Sequence, residues 1–152
     1  MQASAPIVPP IAPGAGPYRL AVQVGHLLRR AHQRHAMLFL EGFAEHGLTP
    51  TQWAALDRLV GLGEATQNLL GRQTAMDPAT IQGVVRRLVA RGLVRRGTDP
   101  ADRRSVRLSP TAAGVALHQA CLAQAFAVSA ATLAPLDAAE ASTFLALLRR
   151  LA

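Results

Sequence analysis

Residues 77–111, DPATIQGVVRRLVARGLVRRGTDPADRRSVRLSPT, decide the fold. Asp77 is an N-cap residue type, and Pro78 follows at the first helical position, where its missing N–H costs nothing. Ile81, Val84, Val85, Leu88 and Val89 then recur with the spacing of one helix face. The opposite face carries Ala79, Gln82, Gly83 and Arg86, flanked by Thr80 and Arg87. Small residues there permit close approach, and the longer side chains can donate to base edges or phosphates, which suits a major groove. Gly92 ends the helix, Leu93 and Val94 begin a strand, and Gly97, Thr98, Asp99 and Pro100 bend the chain. Ser105, Val106, Arg107 and Leu108 then return, with Val106 and Leu108 expected to point inward. A helix followed by a basic hairpin predicts a winged helix.

Charge leads to the same place by a separate route. All sixteen basic residues are arginine, and nine of them (72, 86, 87, 91, 95, 96, 103, 104 and 107) fall in one window against three acids, Asp77, Asp99 and Asp102. That window therefore holds six of the seven net positive charges, which points to a polyanionic partner, double-stranded DNA being the simplest. Arginine favours planar, bidentate contact with phosphate and guanine. A solvated charged face is the plainer reading of most such runs, but here the arginines coincide with the helix-then-wing pattern.

The length suits a single domain with its own core, and abundant alanine and leucine with few aromatics predict a mostly α fold. No run of about eighteen uncharged apolar residues is expected, so no membrane span is predicted. The N-terminus lacks a basic region ahead of an apolar one, so no signal peptide is predicted. The one cysteine, Cys121, excludes an internal disulfide framework and fits a reducing cytoplasm.

Residues 1–17 contain five prolines and read as an extended, flexible arm; residues 18–152 read as one domain. A long helix is predicted from Tyr18 to about His46, with Leu28, His32, His35 and Phe39 on one side. Gly47 breaks it, and Thr49, Pro50 and Gln52 open the next helix with a capping box, Trp53, Leu56, Leu59 and Val60 forming its buried side. A short helix from about Ala65 to Gln73 then leads into the reading helix, so residues 48–110 predict a winged helix-turn-helix, a three-helix core plus β-hairpin wing. Thr111 caps an alanine-rich helix to about Thr132, and Leu136, Asp137 and Glu140 start a last one with apolar Phe144, Leu145, Leu147, Leu148 and Leu151. The long N- and C-terminal helices, 18–46 and 111–152, carry more apolar surface than a small winged helix can cover, which predicts a homodimer built from them.

Residues 48–114 resemble the MarR family of bacterial transcription regulators. The family's pattern of Asp, any residue, Arg, five residues, Leu-Thr and a nearby Gly is met by Asp102, Arg104, Thr111 and Gly114, with Asp99 and Pro100 ahead of them; Pro110 stands where the family usually has Leu. The resemblance implies a homodimeric repressor whose reading helices enter successive major grooves of a pseudo-palindromic operator, each wing reaching a minor groove. On that basis Arg104 is the minor-groove arginine, Asp102 orients it, Arg103 and Arg107 contact phosphates, and Thr80, Gln82, Gly83, Arg86 and Arg87 face the duplex, with Gln82 and Arg86 at base edges. It also implies release by a small aromatic or phenolic acid, for example a hydroxylated aromatic or pyridine carboxylate. The local candidates are His32, His35 and Phe39, Trp53, and a basic neighbour, Arg34 or Arg95, although each apolar member taken singly reads as core.

The histidines lack a clustered Cys/His set but leave a metal-responsive regulator of the same fold as an alternative. Cys121 reads as a small buried hydrophobe. His118 and Cys121 share a helix face without an evident orienting group or oxyanion loop, so no enzyme and no cofactor are expected. A winged helix used only for protein–protein contact is the remaining rival, and the arginine window argues against it.

Overall fold

The computed structural model describes residues 18–98 and 106–152. The elements run α1 (Val24–Gly42), α2 (Pro50–Leu62), β1 (Ala65–Thr66), α3 (Gln67–Gln73), α4 (Pro78–Ala90), β2 (Val94–Thr98), β3 (Val106–Pro110), α5 (Ala112–Leu133) and α6 (Ala138–Leu151), with one 3-10 turn at Leu20–Val22. The fold is mostly α, a winged helix-turn-helix with long flanking helices, as predicted. The proline-rich segment lies outside the described residues, and so do Asp99 and Pro100. Contacts divide the chain into two compact units, Met1–Arg34 and His35–Ala152. In the first, Tyr18, Leu20, Val24, Leu27 and Leu28 are exposed.

The second unit is assembled on local capping. Thr49 accepts from Gln52 N at 3.3 Å while Gln52 Oε1 accepts from Thr49 N at 3.2 Å, the reciprocal pair that starts α2. Asp77 Oδ1 accepts from Ala79 N and Thr80 N at 3.0 and 2.9 Å to start α4, and Thr111 Oγ1 accepts from Gly114 N to start α5. Asp137 and Glu140 form a second reciprocal box for α6. Pro110 does not disturb the start of α5: it ends β3 opposite Val94, and Thr111 N donates to Leu93 O just before its side chain takes up the cap.

Ala55, Leu56 and Leu59 of α2, Leu70 of α3 and Ile81, Val84, Val85 and Leu88 of α4 close one core with Leu93, Val94 and Leu108 of the hairpin base. The antiparallel sheet has the order β1-β3-β2, with Ala65 opposite Leu108 and Arg96 opposite Leu108 on its other side. Phe39, Phe43, Cys121 and Val128 extend the core along the second half of α1 and along α5. Gly114 seats α5 on the hairpin base, since a Cβ there would lie 2.1 Å from Leu93 O.

Five expectations are corrected. The first helix does not begin at Tyr18: the 3-10 turn comes first, α1 starts at Val24, and it ends at Gly42. Ala65 and Thr66 belong to a strand, because they pair with β3, and α3 starts only at Gln67, with Thr66 as its cap. Val106 is 51% exposed: it pairs with Thr98 at the far end of the β2–β3 ladder, while Leu108, two residues on and nearer the hairpin base, is buried over the core. On α2 the fully buried positions are Gln52, Ala55, Leu56 and Leu59, and Trp53 and Val60 are only half-buried. Finally, α5 is 22 residues long without a charged side chain, so by length and composition it is long and apolar enough to cross a membrane. Here it serves as a core helix, with Gly114, His118, Cys121 and Val128 buried.

Candidate nucleic-acid interface

Helix α4 is amphipathic in the sense the sequence required. Thr80, Gln82, Arg86 and Arg87 are exposed and Gly83 is half-exposed, all opposite the buried Ile81, Val84, Val85 and Leu88. Arg87 folds back along its own helix: a Cβ on Gly83 would meet its Nη1 at 3.8 Å. Thr80 is partly committed to the helix start, its hydroxyl donating to Asp77 Oδ2 at 2.6 Å. That hydrogen bond, followed by those from the Thr80 and Ala79 backbone, holds the Asp77 carboxyl below its ordinary value. Asn68 and Arg72 of α3 line a shallow cleft with Met76 and Pro78 at the incoming end of α4.

The arginine window is not a uniform cationic surface. Arg91 donates to the backbone carbonyls of His46 and Gly47, and Arg107, half-buried on β3, pairs with Glu64 at 3.3 Å. Arg95 and Arg96 are exposed on β2. Asp102, Arg103 and Arg104 lie outside the described residues.

The effector candidates separate. His32 and Arg34 are exposed on α1. Phe39 is 3% exposed and stacked on Phe43 at a ring distance of 4.0 Å, so it is core packing. His35 Nδ1 lies 3.0 Å from Thr132 Oγ1 of α5, and its ring is 6.4 Å from that of Phe39. Trp53 sits 5.2 Å from Phe43 on one side and stacks on His118 at 5.1 Å on the other. An aromatic row thus runs His35, Phe39, Phe43, Trp53, His118, and Arg95 is not among its members.

Its last member, His118, is not among the effector candidates that the sequence offers. His118 Nε2 meets Asp57 Oδ1 of α2 at 2.8 Å, while Nδ1 is buried with no hydrogen-bond partner among the described residues. Asp57 is therefore the orienting group that the sequence did not reveal, because the two residues lie 61 positions apart. Cys121 is fully buried, and desolvation, opposed by the Arg91 charge, pushes its thiol up, away from the reactive thiolate. Among the described residues no three His, Cys, Asp or Glu side chains come together as a metal-ion set.

A profile described as MarR family matches residues 46–105. The HTH-type transcriptional repressor NicR of Pseudomonas putida is 42% identical over 135 residues, covering 89% of this chain and 85% of NicR. The structure of a probable transcriptional regulator from Pseudomonas aeruginosa is similar at a TM-score of 0.86 and 51% identity, over 88% of this chain and 100% of that one. BpsR of Bordetella bronchiseptica, whose DNA binding is regulated by 6-hydroxynicotinic acid, is similar at a TM-score of 0.86 and 39% identity, over 90% and 97% of the two chains.

Proposed function

Because the chain belongs to the MarR family of transcription regulators, we propose that it is a homodimeric repressor that reads a pseudo-palindromic operator and releases it when a small aromatic acid binds. The observation that carries the reading is the outer face of α4, where Gln82, Arg86 and Arg87 stand exposed on a helix whose other face is locked into the core. Gln82 and Arg86 are assigned to base edges, and Arg103, Arg104 and Arg107 to phosphates and the minor groove, with Asp102 orienting Arg104. DNA must compete with Glu64 for Arg107.

Dimerisation is supported by large apolar side chains that the described chain leaves partly or mostly exposed: Leu122 and Phe126 on α5, and Phe144, Leu145, Leu147 and Leu151 on α6. For the effector, the regulation of BpsR by 6-hydroxynicotinic acid supports a hydroxylated pyridine carboxylate. Trp53 and His35, the half-buried members of the aromatic row, are the groups a flat ring could stack on and bond to, with His118 behind Trp53.

The test uses a duplex enriched from a random pool by the protein itself. Binding should weaken with salt by roughly 0.9 logarithmic units per phosphate neutralised. 6-Hydroxynicotinic acid should release the protein and shift the emission of Trp53, the chain's one tryptophan. Enrichment without release would keep the DNA reader and remove this effector; no enrichment at all would end the repressor reading.

A further inference from the structure

We propose that Arg91 is a positioning residue for DNA reading and not a phosphate contact: its guanidinium locks the outgoing end of α4 to the corner between α1 and α2. The inference rests on the DNA-reading role of α4 proposed above. By charge alone Arg91 belongs with the other arginines of the window. Its geometry sets it apart, because Nη1 donates to Gly47 O and Nη2 to His46 O, each at 2.8 Å.

The corner presents both acceptors together. The N–H groups of His46 and Gly47 both turn back to Phe43 O at 3.0 Å, and Gly47 adopts a φ of 60°, the left-handed value that lets the chain leave the helix. This leaves two consecutive carbonyls within reach of one planar fork. An arginine satisfies both with a single side chain, whereas a lysine offers one compact, strongly hydrated charge.

The other end of the link is just as determined. Arg91 N donates to Arg87 O, Gly92 N to Val89 O and Leu93 N to Leu88 O, so the backbone carrying the guanidinium is held by the last turn of α4 itself. The corner it grips is seated by Phe43 and Leu48, 1% and 3% exposed, and Phe43 is the middle of the aromatic row. Arg91 therefore sets the tilt of α4 against the part of the core where the effector is proposed to act, and a shift of Phe43 passes to the reading helix through these two bonds.

The test compares Arg91→Ala and Arg91→Lys with the unaltered protein, on the duplex that the unaltered protein enriches and on random duplex. Arg91→Ala should bind the enriched duplex about tenfold more weakly, roughly the worth of one charge-assisted hydrogen bond of pre-organisation. Its affinity for random duplex and the salt slope there should not change, and a circular dichroism spectrum and melting transition like those of the unaltered protein show that the variant is folded. Arg91→Lys, which keeps the charge and loses the fork, should lie nearer to the alanine variant, and it carries the same comparison should alanine fail to fold. The proposal is overturned if both duplexes weaken equally with a slope shallower by about 0.9, the mark of a phosphate contact. Full affinity in either variant overturns it as well. If the unaltered protein enriches no duplex, the DNA-reading assignment of α4 falls and takes this role of Arg91 with it.

Discussion

Helices α4 and α6 have 13 and 14 residues and both start on an aspartate N-cap, yet α4 buries four apolar side chains within its own chain and α6 buries none. Both carry an apolar stripe at helical spacing. The stripe of α4 meets α2, α3 and the hairpin base, so its polar face is presented on a rigid platform. On α6, Phe144, Leu145 and Leu147 stay 37 to 50% exposed and Leu151 74% exposed. Amphipathicity thus states that a helix face must be covered without saying by what. In α4 the cover comes from the same chain, and in α6 it is proposed to come from a second copy.

The joint between the two regions offers the strongest perturbation. A Cβ on Gly114 would lie 2.1 Å from Leu93 O and 3.0 Å from Leu93 C, both backbone atoms at the base of the wing. Gly114→Ala should therefore cost about 3 kcal/mol or more in urea unfolding, because backbone cannot yield as a side chain can. A loss well under 1 kcal/mol would show that α5 is not pressed onto the winged helix in solution.

Next in size is Leu147→Glu. If a partner covers α6, the substitution should remove about 1.5 to 3 kcal/mol of burial per subunit and move the sedimentation equilibrium toward monomer. The fold of each chain should survive, since Leu147 is half exposed within it. An unchanged association constant would place the dimer contact elsewhere.

The smallest effect lies at the start of α4. The Asp77 carboxyl is held below its ordinary 3.8 first by the Thr80 hydroxyl and then by the Thr80 backbone N–H. In the unfolded chain it returns to that ordinary value, so its contribution is complete above it and is lost as pH falls through the lower folded value. Thermal melts of the protein and of Asp77→Ala should differ at neutral pH and converge in strong acid. A gap that persists there would mean that the cap acts without its charge.

Much of this architecture was legible because it is local. The caps at Thr49, Asp77, Thr111 and Asp137 close on N–H groups no more than three residues away, so a sequence read in order contains both partners. The outer face of α4 followed from the helical period alone. The candidate effector site was only partly legible. Trp53, His35 and Phe39 were named, but not Phe43, which joins them, nor the pairing of Asp57 with His118.

What the chain order determined by itself was the type of each long element, where the four side-chain-capped helices start, and the concentration of arginine around one helix, since all of these depend on neighbours within a turn or two. Only tertiary structure decided that Ala65 and Thr66 become a strand, that Val106 stays exposed, and that Arg91 grips carbonyls 44 and 45 residues away instead of standing free. The reason is that a hydrogen bond or a buried contact across such separations exists only once the intervening chain has been folded back. Residue type and spacing carry no record of which distant group will then be opposite.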